Sequence, residues 1–410
     1  MNLLQKLQGR VTVLQEYSKY YRDLHHMELK GKVGSRMKFK GKEHIVWCLN
    51  DYLGFMNHPE SIKAGAKIAA KYGPSYPHSV RLSIGNTALH EELEEELKTM
   101  MNMEDAMLVN LGYQAFSSII DALTDRHDTI IYDQNAHACL IDGVRLHNGR
   151  KFAFKHNDIS HLEVQLRRAS TVHDPDQGII LVIVDGLYSM SGEFAALKEI
   201  AKLKEKYNFT LFVDDSHAFG VFGENGRGTP EHLGVEKDID VYVSTFTKAF
   251  GNIGGFVAAK EEIVTYLRYA VRSQIFSRTM PLSMVAATLK TMEIFKREPY
   301  RRQVLMQKTK MFQDGLRRLG FYIGNTQSPI TPVHINGPIK TGVRVLRELR
   351  NQGIFSYLVV YPVVPKDTCL IRMVSTFNHS ERDIEETLQG FNAIKEKFSV
   401  ELASLSRIRV

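Results

Sequence analysis

Between about residues 105 and 260, short apolar runs alternate with amphipathic stretches. "AMLV", "TIIYD", "IILVIVDG", "FTLFVDD" and "VYVSTF" each have strand length and are rich in β-branched residues, while "HLEVQLRRA" and "ALKEIAKLKEKY" carry apolar residues at helical spacing. Alternation of this kind predicts crossover connections, hence a mainly parallel sheet covered by helices on both faces. After about residue 290 the pattern changes to a long helical region, then "SPITPVHI", another helix, "GIFSYLVV", "TCLIRMV" and a last helix, which predicts a smaller α+β domain. The expected division is an N-terminal helix and lead-in over 1–50, a large α/β domain over 51–290 and a small C-terminal domain over 291–410. At the amino terminus Leu3, Leu4, Leu7, Val11, Leu14 and Tyr21 fall near helical spacing, so an amphipathic helix docked on the body or on a partner subunit is expected.

Composition narrows the class. With 410 residues, 43% hydrophobic and 24% charged, the chain can bury a large core and is an ordinary globular protein. No apolar run approaches the ~20 residues that span a bilayer, and the first residues lack the basic and apolar segments of a secretion signal, so a cytoplasmic protein is expected. Cys48, Cys139 and Cys369 are odd in number and far apart, which indicates buried thiols rather than a disulfide framework or a zinc site; no metal is expected. The net charge of +7 is spread along the chain without an aromatic-interleaved basic block. That argues against nucleic acid and suits anionic substrates or an acidic carrier protein.

In a doubly wound sheet, ligands bind beyond the carboxyl ends of the strands. Collected in that place are Asn110, Gly112 and Tyr113; Asp185 and Ser189; Asp214, Asp215 and His217; and Ser244, Thr245, Thr247 and Lys248. A lone acid at a strand end is most often a helix cap. A lysine, an aspartate and a histidine converging with hydroxyls and glycines point instead to pyridoxal 5'-phosphate. Lys248 would form a Schiff base with the aldehyde, and the threonines and glycine amides would hold the phosphate. Asp214 opposite the pyridine nitrogen would keep the ring protonated and make it an electron sink.

The chain resembles the α-oxoamine synthases, fold-type I pyridoxal-phosphate transferases that include serine palmitoyltransferase, 8-amino-7-oxononanoate synthase, glycine C-acetyltransferase and 5-aminolevulinate synthase. The resemblance runs from "LNDYLGF" to "CLIRMVSTFNHS" through "NAHACLIDG", "DGLYSMSGE", "VDDSHAFGVFGENGRG", "STFTKAFGNIGGF" and "IFSRTMP". The serine palmitoyltransferase group is nearest, on "VDDSHAFGVFG" and on "FSYLVVYPVVP" ahead of "LIRMV". The resemblance implies that Lys248 carries the cofactor and moves the substrate's Cα proton. It puts His137 on the cofactor ring, Asp214 at the ring nitrogen and His217 at the phenolic oxygen. Thr245, Thr247, Gly112, Tyr113 and Ser189 fall around the cofactor, and Ser277 reaches the phosphate from the partner of a homodimer. Arg372 takes the amino-acid carboxylate and Asn50 lies near the substrate.

The implied reaction is decarboxylative condensation of a small amino acid with an acyl thioester, giving a 3-keto amine. Alternatives are 8-amino-7-oxononanoate synthase, glycine C-acetyltransferase and, on the same fold, an aminotransferase. One stretch departs from the family: "YGPSYPHSVRLSIGNTALHEELE" stands where relatives carry a glycine-rich run, Ser216 replaces an alanine, Leu111 replaces a hydroxyl residue, and Arg278 adds a cation beside Ser277. His78, Ser79 and Arg81 thereby become expected substrate contacts. Extra donors favour an anionic side chain, so the expected amino acid is serine or its sulfonate analogue cysteate, joined to a long-chain acyl-CoA or acyl carrier protein thioester for sphingolipid or sulfonolipid synthesis.

Overall fold

A computed structural model describes residues 1–335, 339–361, 363, 364 and 368–398. The chain divides into two compact units: one of Met1–Leu49, Gln307–Thr326 and the chain from Ile330 onward, the other of Asn50–Met306 with Gln327–Pro329.

In the larger unit seven strands form one sheet. They are β1 (Asp105–Val109), β2 (Thr129–Asp133), β3 (Arg150–Phe154), β4 (Ile180–Asp185), β5 (Thr210–Asp214), β6 (Val241–Thr245) and β7 (Gly255–Ala259), in the spatial order β1-β7-β6-β5-β4-β2-β3. Neighbours from β6 through β3 pair in parallel, with Asp185 opposite Asp214 at the ends of β4 and β5. Every residue of β4 is buried, as expected for a strand covered on both faces. Only β7 runs against its neighbours, because the connection 246–254 is too short for a crossover. Helices α1 (Gly112–Leu123), α2 (Ala138–Leu146), α3 (Ile159–Val172) and α4 (Leu197–Lys204) follow strands β1 to β4. Ala115, Phe116, Ile119 and Ile120 of α1 and Leu140 and Val144 of α2 pack in one cluster with Val109, Ile130, Ile183 and Val243 from the sheet.

The smaller unit holds two three-stranded sheets. Ile330–Ile335, Cys369–Val374 and Tyr357–Val359 pair antiparallel, and the hairpin Arg36–Phe39 and Lys42–Val46 is extended by a parallel strand, Ile354–Phe355. Its core includes Trp47, which stacks between Phe312 and His379 at centroid distances of 4.2 and 4.1 Å.

Two expectations change. The lead-in is no separate segment, since its hairpin pairs with Ile354–Phe355. The second boundary falls within the helix Tyr300–Arg318 rather than at 290, because the helix Leu282–Arg297 packs on the helix Pro59–Tyr72. Ser61 and Thr291 share a 2.9 Å hydrogen bond there, and the missing Cβ of Gly65 lets the two backbones approach. The N-terminal helix Leu3–Tyr21 forms, but Leu3, Leu4, Val11 and Leu14 are exposed instead of docked on the body of this chain.

Candidate active site

Lys248, the lysine expected to carry the cofactor, sits in the connection between β6 and β7, and three backbone hydrogen bonds hold that connection. Phe246 N–H donates to Gly254 O at 2.9 Å, Asn252 N–H to Phe246 O at 3.0 Å and Gly251 N–H to Lys248 O at 3.1 Å. Gly251 and Gly254 have φ of 59° and 104°, a left-handed backbone that favours glycine. Lys248 is half-buried and its Nζ lies 3.4 Å from Thr245 Oγ1, which in turn lies 2.8 Å from Thr247 Oγ1.

Gly112 opens α1 beside these hydroxyls. A Cβ on Gly112 would stand 2.2 Å from Thr245 Cγ2, so only glycine lets the helix start this close to β6. The residue preceding it, Leu111, has no side-chain cap to offer, which leaves the first N–H groups of α1 free of a side-chain acceptor. A helix N-terminus flanked by two threonines has the geometry and donors that suit a phosphate. Tyr113, exposed at the same turn, donates to Asp142 and meets the His137 ring edge-on at 6.1 Å.

His137 caps α2. Its backbone N–H donates to Asp185 Oδ2 at 2.8 Å, and the Cys139 N–H donates to its Nδ1 at 3.3 Å, which assigns the proton to Nε2. Burial, helped by Lys248 and opposed by Asp214, holds the imidazole below its usual range, so a neutral ring faces the site. Asp214 closes β5. Ser216 donates to its Oδ1 twice, from N at 3.0 Å and from Oγ at 2.6 Å. Burial, reinforced by Asp214, pushes the Asp185 carboxyl up.

Two further groups were not singled out from the sequence. Cys139 Sγ lies 2.9 Å from His137 Nδ1 and 3.8 Å from Asp214 Oδ2, a contact set by the first turn of α2. The Tyr52 hydroxyl lies 2.7 Å from His217 Nδ1; its place inside "LNDYLGF" was the available hint. Asn50, half-buried, accepts the Tyr52 N–H at 2.8 Å, and Ser189 is half-buried in the turn after β4.

The unusual loop and the "IFSRTMP" segment come together. Thr279 N–H donates to Ser79 O at 2.9 Å and Leu282 N–H to Tyr76 O at 2.8 Å, the exposed side chains of His78 and Arg278 meet, and Asn110 at the end of β1 donates to Arg278 O. Ser277 is half-buried beside them. Arg81, expected at the substrate, is placed otherwise. Its guanidinium forks onto Glu94 with both contacts at 3.0 Å, and Glu94 also accepts from Arg268 at 2.9 Å and from Leu108 N–H at 2.7 Å. A buried carboxylate needs these donors, so Arg81 serves the packing of this ion pair. Arg372 belongs to the smaller unit, where it is buried and donates to the Tyr357 hydroxyl at 3.0 Å. Of the "FSYLVVYPVVP" motif, Pro362 and Pro365 lie outside the described residues.

A family model described as aminotransferase class I and II matches residues 42–391. The chain belongs to that family. It is 46% identical over 371 residues to the cysteate-C-fatty acyltransferase of Capnocytophaga ochracea, covering 90% of this chain and 88% of that one. It is 35% identical over 399 residues to a serine palmitoyltransferase of Bacteroides ovatus, covering 96% and 99%. A serine palmitoyltransferase variant from S. paucimobilis, with a pyridoxal phosphate–myriocin aldimine bound, superposes with a TM-score of 0.89 at 28% identity over 97% of this chain and 99% of that one. Within the family the chain is an α-oxoamine synthase, a pyridoxal-phosphate-dependent acyltransferase, and the cradle at Gly112, Thr245 and Thr247 fits that cofactor's phosphate.

Proposed function

We propose that this α-oxoamine synthase joins cysteate, with serine as the second amino acid, to a long-chain fatty acyl thioester, releasing carbon dioxide and the thiol. The product is a 3-keto long-chain base, sulfonated when cysteate is used. The observation that carries this reading is the 46% identity to a cysteate-C-fatty acyltransferase across nine-tenths of the chain. The meeting of His78 and Arg278 supports it: the exposed guanidinium donates to the His78 ring and keeps further N–H groups for an anion, and a sulfonate offers three acceptor oxygens.

The cofactor, when bound, supplies an electron sink for the electron pair left at the amino acid's Cα. The chain's own groups do the rest. Lys248 Nζ takes the Cα proton and later returns it, held in reach by the turn 246–254. Thr245, Thr247 and the first N–H groups of α1 bind phosphate. Ser216 fixes Asp214 Oδ1, leaving Oδ2 for the ring nitrogen. The neutral His137 would stack on the cofactor ring without competing for Asp214's charge, and His217, held by the Tyr52 hydroxyl, would hydrogen-bond the phenolic oxygen.

A homodimer belongs to this reading. Leu82, Ile84, Tyr269 and Phe276 are exposed large apolar side chains, with Phe276 adjoining Ser277, and a second copy would cover them. No helix among the described residues is long and apolar enough to cross a membrane. Three free thiols support a cytoplasmic setting as part of the same proposal.

The test is steady-state turnover of cysteate, serine, glycine and alanine against one long-chain thioester, carried on coenzyme A and on acyl carrier protein. Cysteate is expected to lead. Glycine or alanine ahead of both polar amino acids by tenfold in kcat/KM would replace this reading with the 8-amino-7-oxononanoate synthase or glycine acyltransferase one.

A further inference from the structure

Behind the site lies a buried charged cluster that the chemistry above does not use. Asp133 ends β2, four residues before His137. Its Oδ1 accepts the Asn135 N–H at 2.7 Å, and its Oδ2 accepts the Asn157 N–H at 3.0 Å and the Tyr188 hydroxyl at 2.9 Å. His156, in the connection from β3 to α3, places Nδ1 3.1 Å from both oxygens of Asp133. Its other nitrogen, Nε2, stands 3.7 Å from Glu193 Oε2, an ion-pair distance. Glu193 closes the turn after β4, where Tyr188 N–H donates to Glu193 O at 2.9 Å and Gly192 N–H to Tyr188 O at 2.9 Å; Ser189 lies inside that turn. The Tyr188 ring meets the His156 ring edge-on at 4.3 Å.

We infer that His156 is a positioning residue: as an imidazolium between Asp133 and Glu193 it ties the loop leading to His137 to the turn carrying Ser189, holding both at the cofactor site. This rests on the reading that His137 and Ser189 border the cofactor. Neutral bonds alone would leave the tie weaker. Asn157 donates to Phe194 O at 2.9 Å and accepts from Ala196 N–H at 3.2 Å, which anchors the start of α4 but reaches neither carboxylate through its side chain. The imidazole does reach both. A neutral imidazole could still hydrogen-bond Asp133 but would carry no charge to hold Glu193, which stands at ion-pair and not hydrogen-bond distance.

The groups facing His156 are Asp133 from β2 and Glu193 and Tyr188 from the turn after β4, with Lys155 and Asp158 flanking it in its own connection. Burial opposes its charge, yet the two carboxylates outweigh burial and push it up to about 9. In return, and again against burial, His156 and the backbone N–H groups hold the Asp133 carboxyl below its usual range. The tie is therefore closed at neutral pH and opens as pH rises through about 9.

Hydrogen exchange on the full-length protein with its cofactor, normalised to intrinsic rates at each pH, tests this without reference to the substrate. Wild type is expected to protect 134–137 and 187–193 at pH 7 and to lose about tenfold of that protection together, with a midpoint near 9. His156→Gln should show the loss already at pH 7 and no further step, while β4 stays protected in both. Equal protection of both segments in variant and wild type at pH 7, or a flat wild-type profile to pH 10, overturns the inference. Should His156→Gln fail to fold, Glu193→Gln severs one end of the tie at a partly exposed position and is expected to loosen 187–193 alone and to lower the His156 pKa followed by NMR; an unchanged pKa and unchanged protection would equally overturn it. A preference for glycine over cysteate would defeat the substrate reading and leave these results untouched.

Discussion

Ser216 donates to Asp214 from both its backbone N–H and its hydroxyl, at 3.0 and 2.6 Å, and both bonds end on the same oxygen, Oδ1. Oδ1 is thus fixed, and under the proposed function Oδ2, which the Cys139 thiol approaches at 3.8 Å, serves the cofactor ring. Ser216→Ala removes one of the two bonds. A hydrogen bond to a charged acceptor is worth about 1.5–3 kcal/mol when lost, so kcat should fall about ten- to a hundredfold, with cofactor still bound. Asp214→Asn is expected to bind cofactor and lose Cα proton exchange by at least about a thousandfold, because an amide cannot stabilise a protonated ring. Single-turnover proton exchange into the solvent measures both. Near wild-type exchange in Asp214→Asn would remove Asp214 from the site.

The cradle makes a sharper demand at Gly112. Alanine is a better helix former than glycine, so Gly112→Ala should leave α1 intact or strengthen it. Its Cβ would nevertheless stand 2.2 Å from Thr245 Cγ2, and one of the two must move. Cofactor affinity should drop tenfold or more, read by equilibrium titration after dialysis, and the melting temperature without cofactor should fall by a few degrees, since the clash lies between buried groups. Unchanged affinity would mean that the phosphate sits elsewhere.

Lys248→Ala should remove the borohydride-reducible visible chromophore and turnover together, with the fold retained, since a half-buried lysine in a turn adds little to the core. Retained chromophore and turnover in that variant would refute the assignment.

The parts of this molecule that were legible in its sequence are those where burial dictates composition. β4 is buried at every position and reads as an unbroken apolar run, and polar residues just beyond such runs mark the edge that binds ligands. β3 was not legible: it is an edge strand, "RKFAF", with only Phe154 fully buried, so no apolar run announces it. β7 is "GFVAA", in which only Phe256 and Val257 carry strand signal; it opens on Gly255, where a Cβ would stand 2.4 Å from Ser244 O of β6. Arg81 looked like a substrate group because sequence spacing cannot show that Glu94, thirteen residues on, turns back beneath it. Cys139 was read as a buried thiol, which it is; its contact with His137 and Asp214 depends on how α2 begins.

Selectivity should rest on Arg278. Arg278→Ala is expected to lower kcat/KM for cysteate at least tenfold, mostly through KM, and to change serine by less than threefold, since a lost charge-assisted contact matters only to the anionic side chain. Competition kinetics with both amino acids in one vessel reads the ratio directly. Equal losses for the two would assign Arg278 to the acyl donor instead.

His379 gives the smaller unit its own acid sensitivity. Its Nδ1 accepts the Thr376 N–H at 3.0 Å and its Nε2 therefore donates to Val46 O at 3.1 Å, so the native ring is neutral with both nitrogens satisfied. Burial pushes it down to about 4. The unfolded chain, with an imidazole near 6.5, binds a proton that the native state refuses, so stability falls as pH drops from about 6.5 toward 4 and is unaffected above. The size of that loss is on the order of 3 kcal/mol. Trp47, the single tryptophan of the chain, stacks on this ring and reports the event in urea melts followed by fluorescence. His379→Gln loses the stacking and starts less stable at pH 7, but it lacks the titrating group, so the gap between variant and wild type should narrow by a comparable amount on reaching pH 4. Parallel stability curves for the two proteins across that range would show that the acid sensitivity resides elsewhere.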